Sequence, residues 1–293
     1  CTVHGIHIAK NVVGLNISHN EIHHMPSEAI RHSGNNHTFA YNDVHRVVSD
    51  ICDQGAFYVG HHWTSRGHKL HHNYLHDIDS SVCNSQNYTF AGGFYYDVTT
   101  GGDEIYGNVF HNIVDGFGVF HAGGRDLKMT NNIFVKVREA YIYLDRITGI
   151  LSTSNPEVHN HVLCDLYFND YYASAAAWKT SYPELAQIPV PECCPHAPPA
   201  GQTCPDAVPN DDHIWLSNNY NRPVGSALYN NVFFDNGRDF SPHIYIGSYG
   251  AAMTYIAAAP NCSATSCGLN CYQDPNNQWR GTCDPGQNMV DTD

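Results

Sequence analysis

The sequence predicts an all-β chain of the parallel β-helix (solenoid) class with a long insertion that contains disulfide bonds. Helical periodicity is nearly absent, and the best helical candidate is the alanine-rich stretch 174–185. A short pattern recurs instead: apolar, x, apolar, two further residues, Asn, x, apolar and often His. The alternation inside each copy has the period of a β-strand, and recurrence every few tens of residues is typical of solenoids.

The asparagines of this pattern mark the successive coils. The clear copies contain Asn20, Asn42, Asn73, Asn108 and Asn132, and the weaker copies contain Asn219 and Asn231. Asparagines of the clear copies are 22, 31, 35 and 24 residues apart, which indicates a basic coil in the low twenties with insertions. We expect these side chains to form a hydrogen-bonded ladder, with coils about 4.8 Å apart.

A second strand is expected after each asparagine, in the segments 29–33, 56–60, 93–97, 118–122, 141–145 and 244–247. Aligning these segments on their apolar residues predicts two columns of side chains. The first column is Arg31, Tyr58, Tyr95, Phe120, Tyr143 and Tyr245, and the second is Ser33, Gly60, Asp97, Ala122, Asp145 and Gly247.

The chain divides into three parts. Residues 1–151 are predicted to form coils, 152–212 an insertion with a short helix and a Cys- and Pro-rich loop, and 213–293 the resumed coils with a Cys-rich tail. Both ends of the repeat lack a polar cap. Since an uncapped solenoid end exposes a sheet edge, we expect either self-assembly or further polypeptide there, and we favour further polypeptide.

Composition narrows the partners and the compartment. The net charge of −14 disfavours nucleic acid and anionic membrane surfaces as partners, and no apolar run is long enough for membrane insertion. Eleven cysteines, together with glycosylation sequons at Asn16, Asn36, Asn87 and Asn261, predict a secreted glycoprotein.

Several motifs occur together in a defined order: Asp53-x-Gly-Ala-Phe-Tyr, Trp63-Thr-Ser-Arg-Gly, Ile105-Tyr-Gly-Asn-Val-Phe, Gly123-Gly-Arg-Asp and Tyr182-Pro-Glu-Leu. They resemble a family of extracellular right-handed parallel β-helix proteins that includes glycoside hydrolase family 141. The resemblance implies a right-handed β-helix that acts on complex polysaccharide.

The resemblance also implies catalytic carboxylates at Asp53, Asp97 and Asp126. Two positions depart from the family pattern. His61 and His62 precede Trp63 where the family has Arg-Asp, and Val98 follows Asp97 where the family has a second acidic residue. Whether catalysis is retained is therefore left open.

Glycoside cleavage requires one protonated and one ionised carboxyl group on either side of the bond. Asp97 and Asp145 share a predicted column two coils apart, which separates them by about 9.6 Å. Asp53 precedes its strand and needs a turn to approach Asp97. The resemblance favours Asp53 with Asp97, and the column geometry favours Asp97 with Asp145. The alternative role for each is an aspartate that bonds to a turn beside glycine.

Aromatic, imidazole and guanidinium groups are the candidates for glycan binding: His62, Trp63, Arg66, Tyr95, His121 and Arg125. Aromatic faces stack on sugar rings, and arginines hold carboxylates or sulfates, which favours an acidic glycan. The alternative is that the arginines bond backbone carbonyl groups between coils. A histidine near Asp97 is also a candidate general acid or base.

Four histidines follow the ladder asparagines by three residues: His23, His45, His76 and His111. Such a column can chelate zinc or copper, or it can form hydrogen bonds along a turn. We favour the second interpretation and assign no metal site and no cofactor.

These observations predict a glycoside hydrolase-like protein that acts on a complex or acidic polysaccharide. The alternative is a secreted glycoprotein that binds glycan, or builds an extracellular assembly, without catalysis. Lyase action is less favoured, because it requires a base to remove a proton beside a carboxylate and lysines are few.

Overall fold

The computed structural model describes residues 4–60, 64–80, 91–97, 100–145, 175–184, 225–234 and 244–248, with short strands at 272–273, 279–280 and 289–290. This part of the chain is mostly parallel β-sheet with almost no helix, as an all-β parallel solenoid requires. The helix is α1 (Ala175–Ser181), inside the stretch predicted to be helical. It is too short to cross a membrane, and no longer apolar helix occurs among the described residues.

Each coil contributes one strand to each of three parallel ladders. The first ladder is β2 (Asn16–Ser18), β5 (Thr38–Ala40), β8 (Lys69–His71), β11 (Glu104–Tyr106), β13 (Lys128–Thr130) and β15 (Ala227–Tyr229). The second is β3 (Glu21–His23), β6 (Asp43–His45), β9 (Tyr74–His76), the start of β12 (Val109–His121), the start of β14 (Ile133–Asp145) and β16 (Val232–Phe234). The third is β1 (Ile6–His7), β4 (Ile30–Arg31), β7 (Gln54–Gly60), β10 (Ala91–Asp97), the ends of β12 and β14, and β17 (Ile244–Ser248). The remaining strands are the antiparallel pair β18 (Tyr272–Gln273) and β19 (Trp279–Arg280), and β20 (Met289–Val290), which pairs with β16.

The predicted asparagine ladder is confirmed, and it occupies the corner between the first and second strand ladders. Asn73 donates from its backbone N–H and from Nδ2 to Asn108 Oδ1, both at 2.9 Å. The same pair of bonds links all six ladder asparagines: Asn20, Asn42, Asn73, Asn108, Asn132 and Asn231. Each Nδ2 from Asn42 onward also donates to a backbone carbonyl of the preceding coil, so these buried amides are well satisfied.

Apolar side chains fill the interior between the strand ladders. Phe110, Phe134 and Phe233 occupy one level of three successive coils, and their rings stack with centroids 4.6 and 5.3 Å apart. All three are at most 1 % exposed. Burial of such a column removes much apolar area from water and favours one alignment of the coils.

The predicted columns on the third ladder are correct as far as Phe120 and wrong by one residue in the next coil. Phe120 pairs with Ile142 rather than with Tyr143, and Ile142 in turn pairs with Tyr245. His121 pairs with Tyr143, so Ala122, which is level with Asp97, is also level with Leu144. Asp145 therefore does not share the column of Asp97. The run 141–144 is apolar throughout, and composition does not determine its register.

Buried histidines form a second ladder at another corner. His37 N–H donates to His68 Nδ1 at 3.2 Å, and His68 N–H donates to Asp103 Oδ1 at 2.8 Å. His32 and His121 are also buried, at 1 % and 0 % exposure. Burial lowers the pKa of His32 to about 3 and of His121 to about 4, and burial also places the pKa of His68 well below its usual value.

We expect replacement of Asn108 by alanine to lower the free energy of unfolding by about 2–4 kcal/mol, because two donors of Asn73 lose their acceptor inside the protein. Asn20→Ala is the matched control. Asn20 is exposed at one end of the ladder and only donates along it, so its loss should cost less than about 1 kcal/mol. Urea denaturation measures both, and equal losses would contradict a ladder that stabilises the interior.

We also expect stability to decrease as the pH falls below about 6.5. In the unfolded chain His32 and His121 bind protons below this pH. In the folded chain these histidines stay neutral until about pH 3 and 4. Each of them therefore lowers the free energy of unfolding by about 1.4 kcal/mol for every pH unit between these limits. Neither ring nitrogen of His32 has a partner among the described residues, so His32→Phe should remove one such slope without loss at pH 7. Denaturation between pH 7.5 and 4.5 tests this, with replacement of the exposed His19 by phenylalanine as the matched control.

Candidate functional site

Two of the predicted catalytic carboxylates lie together on the outward face of the third ladder. Asp97 Oδ2 accepts a hydrogen bond from the Tyr58 hydroxyl at 2.7 Å, and Asp53 Oδ1 accepts one from the Tyr95 hydroxyl at 2.5 Å. Each tyrosine thus bonds the aspartate of the neighbouring coil, and the two rings are 5.4 Å apart. Asp53 adopts a left-handed backbone conformation with φ 63°, so the chain turns there before β7 begins.

The two aspartates differ in burial, because Asp97 is enclosed and Asp53 is exposed. Tyr58 and Tyr95 are 6 % and 1 % exposed, and Asp97 is 8 % exposed. Burial and the adjacent Asp97 carboxylate raise the pKa of the Tyr58 hydroxyl above its usual range. Tyr95, predicted to bind glycan, therefore presents almost no surface on which a sugar ring can stack.

Asp126, the third predicted carboxylate, belongs to a different group. Its Oδ2 accepts from Arg66 Nη2 at 2.5 Å and from Arg125 Nε at 3.0 Å. Arg66 and Arg125 are 1 % and 5 % exposed. The motifs Trp-Thr-Ser-Arg and Gly-Gly-Arg-Asp thus meet in space, but both arginines bind this internal carboxylate, which differs from the predicted role of holding glycan acid groups.

The segment that begins with α1 brings a further carboxylate to Arg66. Glu184 Oε1 accepts from Arg66 Nη2 at 3.3 Å, and the Tyr182 hydroxyl donates to Asn36 Oδ1 at 3.0 Å. The Tyr182 ring stacks on Trp178 with centroids 5.6 Å apart. Because the oxygens of Asp126 and Glu184 bond the same nitrogen, they lie at most about 6 Å apart, a limit that includes the spacing of about 5–5.5 Å between the carboxyl groups of retaining glycosidases.

A polar cleft opens at this point. It has a volume of about 420 Å³, and its lining includes Lys69, Glu104, Asp126, Lys128, Tyr182 and Glu184. A second cleft of about 250 Å³ is lined by Trp178 together with Lys10, Asn35 and Thr64. Of the two stacked rings, Tyr182 lines the first cleft and Trp178 lines the second. Carboxylates, amide groups, lysines and an aromatic pair are a suitable lining for a carbohydrate.

Other predicted site residues lie elsewhere. His121 is fully buried, with Nε2 2.8 Å from the Thr100 carbonyl and Nδ1 3.2 Å from the Tyr141 hydroxyl, so it does not reach an external ligand. Asp145 ends β14, and its side chain lies outside the described residues, as do His62 and Trp63.

The predicted modifications are only partly within the described chain. Asn16 and Asn36 are exposed, whereas Asn87, Asn261 and the cysteines of the predicted insertion and tail lie outside the described residues. Cys52, the only cysteine in the described part, is disulfide-bonded.

Glu184 and Trp178 were missed as site residues by sequence reasoning. The Tyr182-Pro-Glu-Leu motif contained a signal for Glu184, but nothing in the sequence indicated that this segment packs against Arg66.

No protein-family model, no curated protein and no solved structure matches this chain. The resemblance to glycoside hydrolase family 141 therefore stays a prediction.

We expect Arg66→Met to lower the free energy of unfolding by about 3 kcal/mol, because it leaves the enclosed carboxylate of Asp126 with one guanidinium partner fewer. Lys128→Met is the control. Lys128 pairs with Glu104 at 3.9 Å with both side chains about half exposed, so its loss should cost at most about 1 kcal/mol. Chemical denaturation of both variants measures the difference, and a cost below 1 kcal/mol for Arg66→Met would contradict a structural ion network.

Proposed function

We propose that this protein is a secreted, polysaccharide-active solenoid of the glycoside hydrolase type and that its glycan occupies the polar cleft. The proposal is supported above all by one observation: Asp126 and Glu184 line the same cleft and bond the same nitrogen of Arg66, so two carboxyl groups are available within reach of one glycosidic bond. This pair differs from the Asp53–Asp97 pair, whose carboxylates are each bound by a nearly buried tyrosine.

The environments of the two carboxyl groups suggest separate roles. Asp126 is 9 % exposed and accepts hydrogen bonds from two guanidinium groups, which hold its carboxylate in a fixed position, as a nucleophile or base requires. Glu184 is 31 % exposed and contacts Arg66 at the longer distance of 3.3 Å, so it is the better candidate for the acid that protonates the leaving oxygen. Trp178 offers a ring on which a neighbouring sugar unit can stack.

The second candidate function is glycan binding without catalysis. It is favoured by the position of Arg66, whose Nη2 lies between both carboxylates and holds each of them as an ion-pair partner. A carboxylate bound in this way is less available for proton transfer.

The test is a panel of neutral and acidic polysaccharides, assayed for new reducing ends and for the ultraviolet absorbance of unsaturated products. We expect the protein to release new reducing ends from one class of glycan. We also expect Glu184→Gln to lower the rate at least about 100-fold while binding is retained. Trp178→Ala should weaken binding about tenfold by removing the stacking surface. Asp50→Asn is the control. Asp50 is exposed and accepts a hydrogen bond from Ser49, so this variant should change neither the rate nor the binding.

The possible outcomes separate the candidate functions. Binding without product supports the non-catalytic function, and unsaturated products support a lyase. A full rate in Glu184→Gln contradicts the assignment of the acid, and the absence of both binding and product across the panel contradicts the proposal as a whole.

A further inference from the structure

The outward face of the second strand ladder carries the predicted histidine column. The backbone register aligns His23 with His45, His45 with His76, and His76 with His111. The rings of His45 and His76 stack at 4.7 Å. This face is separate from the polar cleft, and the proposed glycan activity makes no use of it.

His76 lies between two carboxylates. Its Nδ1 is 3.0 Å from Asp77 Oδ2, and its Nε2 is 2.9 Å from Asp43 Oδ1. A neutral imidazole carries only one N–H, so one of these contacts would place a nitrogen lone pair against a carboxylate oxygen. A cation between nitrogen and oxygen removes that repulsion, and the cation is either a second proton or a metal ion.

The surroundings determine which nitrogen faces the cation. Asn112 Nδ2 donates to Asp77 Oδ1, and Asp77 adopts a left-handed conformation with φ 51°, so the Asp77 carboxylate is fixed beside His76. Asp77 therefore accepts the Nδ1–H, which leaves the lone pair of Nε2 directed toward Asp43. A carboxylate that orients a histidine in this way is typical of protein metal sites.

A third ligand is supplied by the strand itself. Asp43 and His45 are two residues apart on β6, with Val44 buried between them, so their side chains share the outward face. His45 Nδ1 has no partner among the described residues. The potential ligand atoms of Asp43, His45 and His76 all lie within 4.8 Å of one another. Ligand atoms of a tetrahedral zinc ion are about 3.3 Å apart, so small side-chain rotations suffice to close the site.

We propose that Asp43, His45 and His76 bind a divalent transition-metal ion such as Zn²⁺, with Asp77 as the positioning residue for His76. Two imidazoles and one carboxylate are a ligand set that zinc accepts, and water can complete the coordination. Glu21 Oε1, 3.4 Å from His45 Nε2 and on a side chain that is 65 % exposed, lies at the edge of the site. Asp43 is 48 % exposed, so an ion reaches the site from solution.

A second cluster, His32 with His68 and Asp103, also has ligand atoms within 4.8 Å of one another. It suits a metal less well. His68 Nδ1 accepts the backbone N–H of His37, so Nε2 carries the ring proton and has no lone pair for a metal.

Calorimetric titration of the metal-stripped full chain with Zn²⁺ at pH 7.5 tests the proposal. We expect one tight equivalent above the weak background of other surface histidines. His76→Gln and His45→Gln should each weaken that equivalent at least about 100-fold.

Asp77→Asn should weaken the tight equivalent about 10–100-fold at unchanged stoichiometry, and the Co²⁺ absorption spectrum of this variant should still show tetrahedral coordination. The matched control is His19→Gln, an exposed histidine stacked on Tyr41, which should bind as the wild type does.

Circular dichroism establishes that each variant is folded, and the use of two ligand variants covers the failure of either one to fold. The proposal is overturned if the wild-type chain shows no saturable tight equivalent. It is equally overturned if both ligand variants retain that equivalent, because the tight ion is then bound elsewhere.

Discussion

The hydrogen bonds between stacked asparagines are the constraint on which the rest of the structure depends. Each amide bonds the same two donors of the coil before it, so successive coils cannot rotate or slip relative to one another without breaking several bonds in a buried corner. A slip of one residue would also turn the apolar side chains of every strand to the opposite face. This alignment brings residues far apart in sequence into columns, and the clusters of charged groups on the outer faces follow from it.

Several polar and charged groups are paired across coils. Arg66 binds Asp126, which lies 60 residues later in the sequence, and Glu184, which lies 118 residues later. Tyr58 binds Asp97 and Tyr95 binds Asp53, so each tyrosine bonds the aspartate of the neighbouring coil. Such contacts stabilise the stack and also hold carboxyl groups at defined separations. A structural ion network and a catalytic pair therefore contain the same residue types.

The sequence was sufficient to predict the parallel solenoid, the asparagine ladder and the histidine column, because in each case the same residue types recur at one position of successive coils. It was insufficient where several residue types satisfy the same position. The predicted register of β14 was wrong by one residue because four successive apolar residues fit either face, and this error placed Asp145 in the column of Asp97. The burial of His121 and the contact of Glu184 with Arg66 also escaped prediction, since they depend on how distant segments pack.

The bond between Asn132 and Asn231 has the same geometry as the others in its ladder, although 99 residues separate the two. Closing a loop of that length costs only about 1.3 kcal/mol more than closing one of 22 residues, because the entropy depends on the logarithm of length. The earlier coils need no contact from beyond this loop to stack on one another, so they can assemble while the later part of the chain is still being synthesised. An architecture of this kind tolerates the acquisition of long segments at one corner in evolution, and new surfaces can arise there without any change in the repeating scaffold.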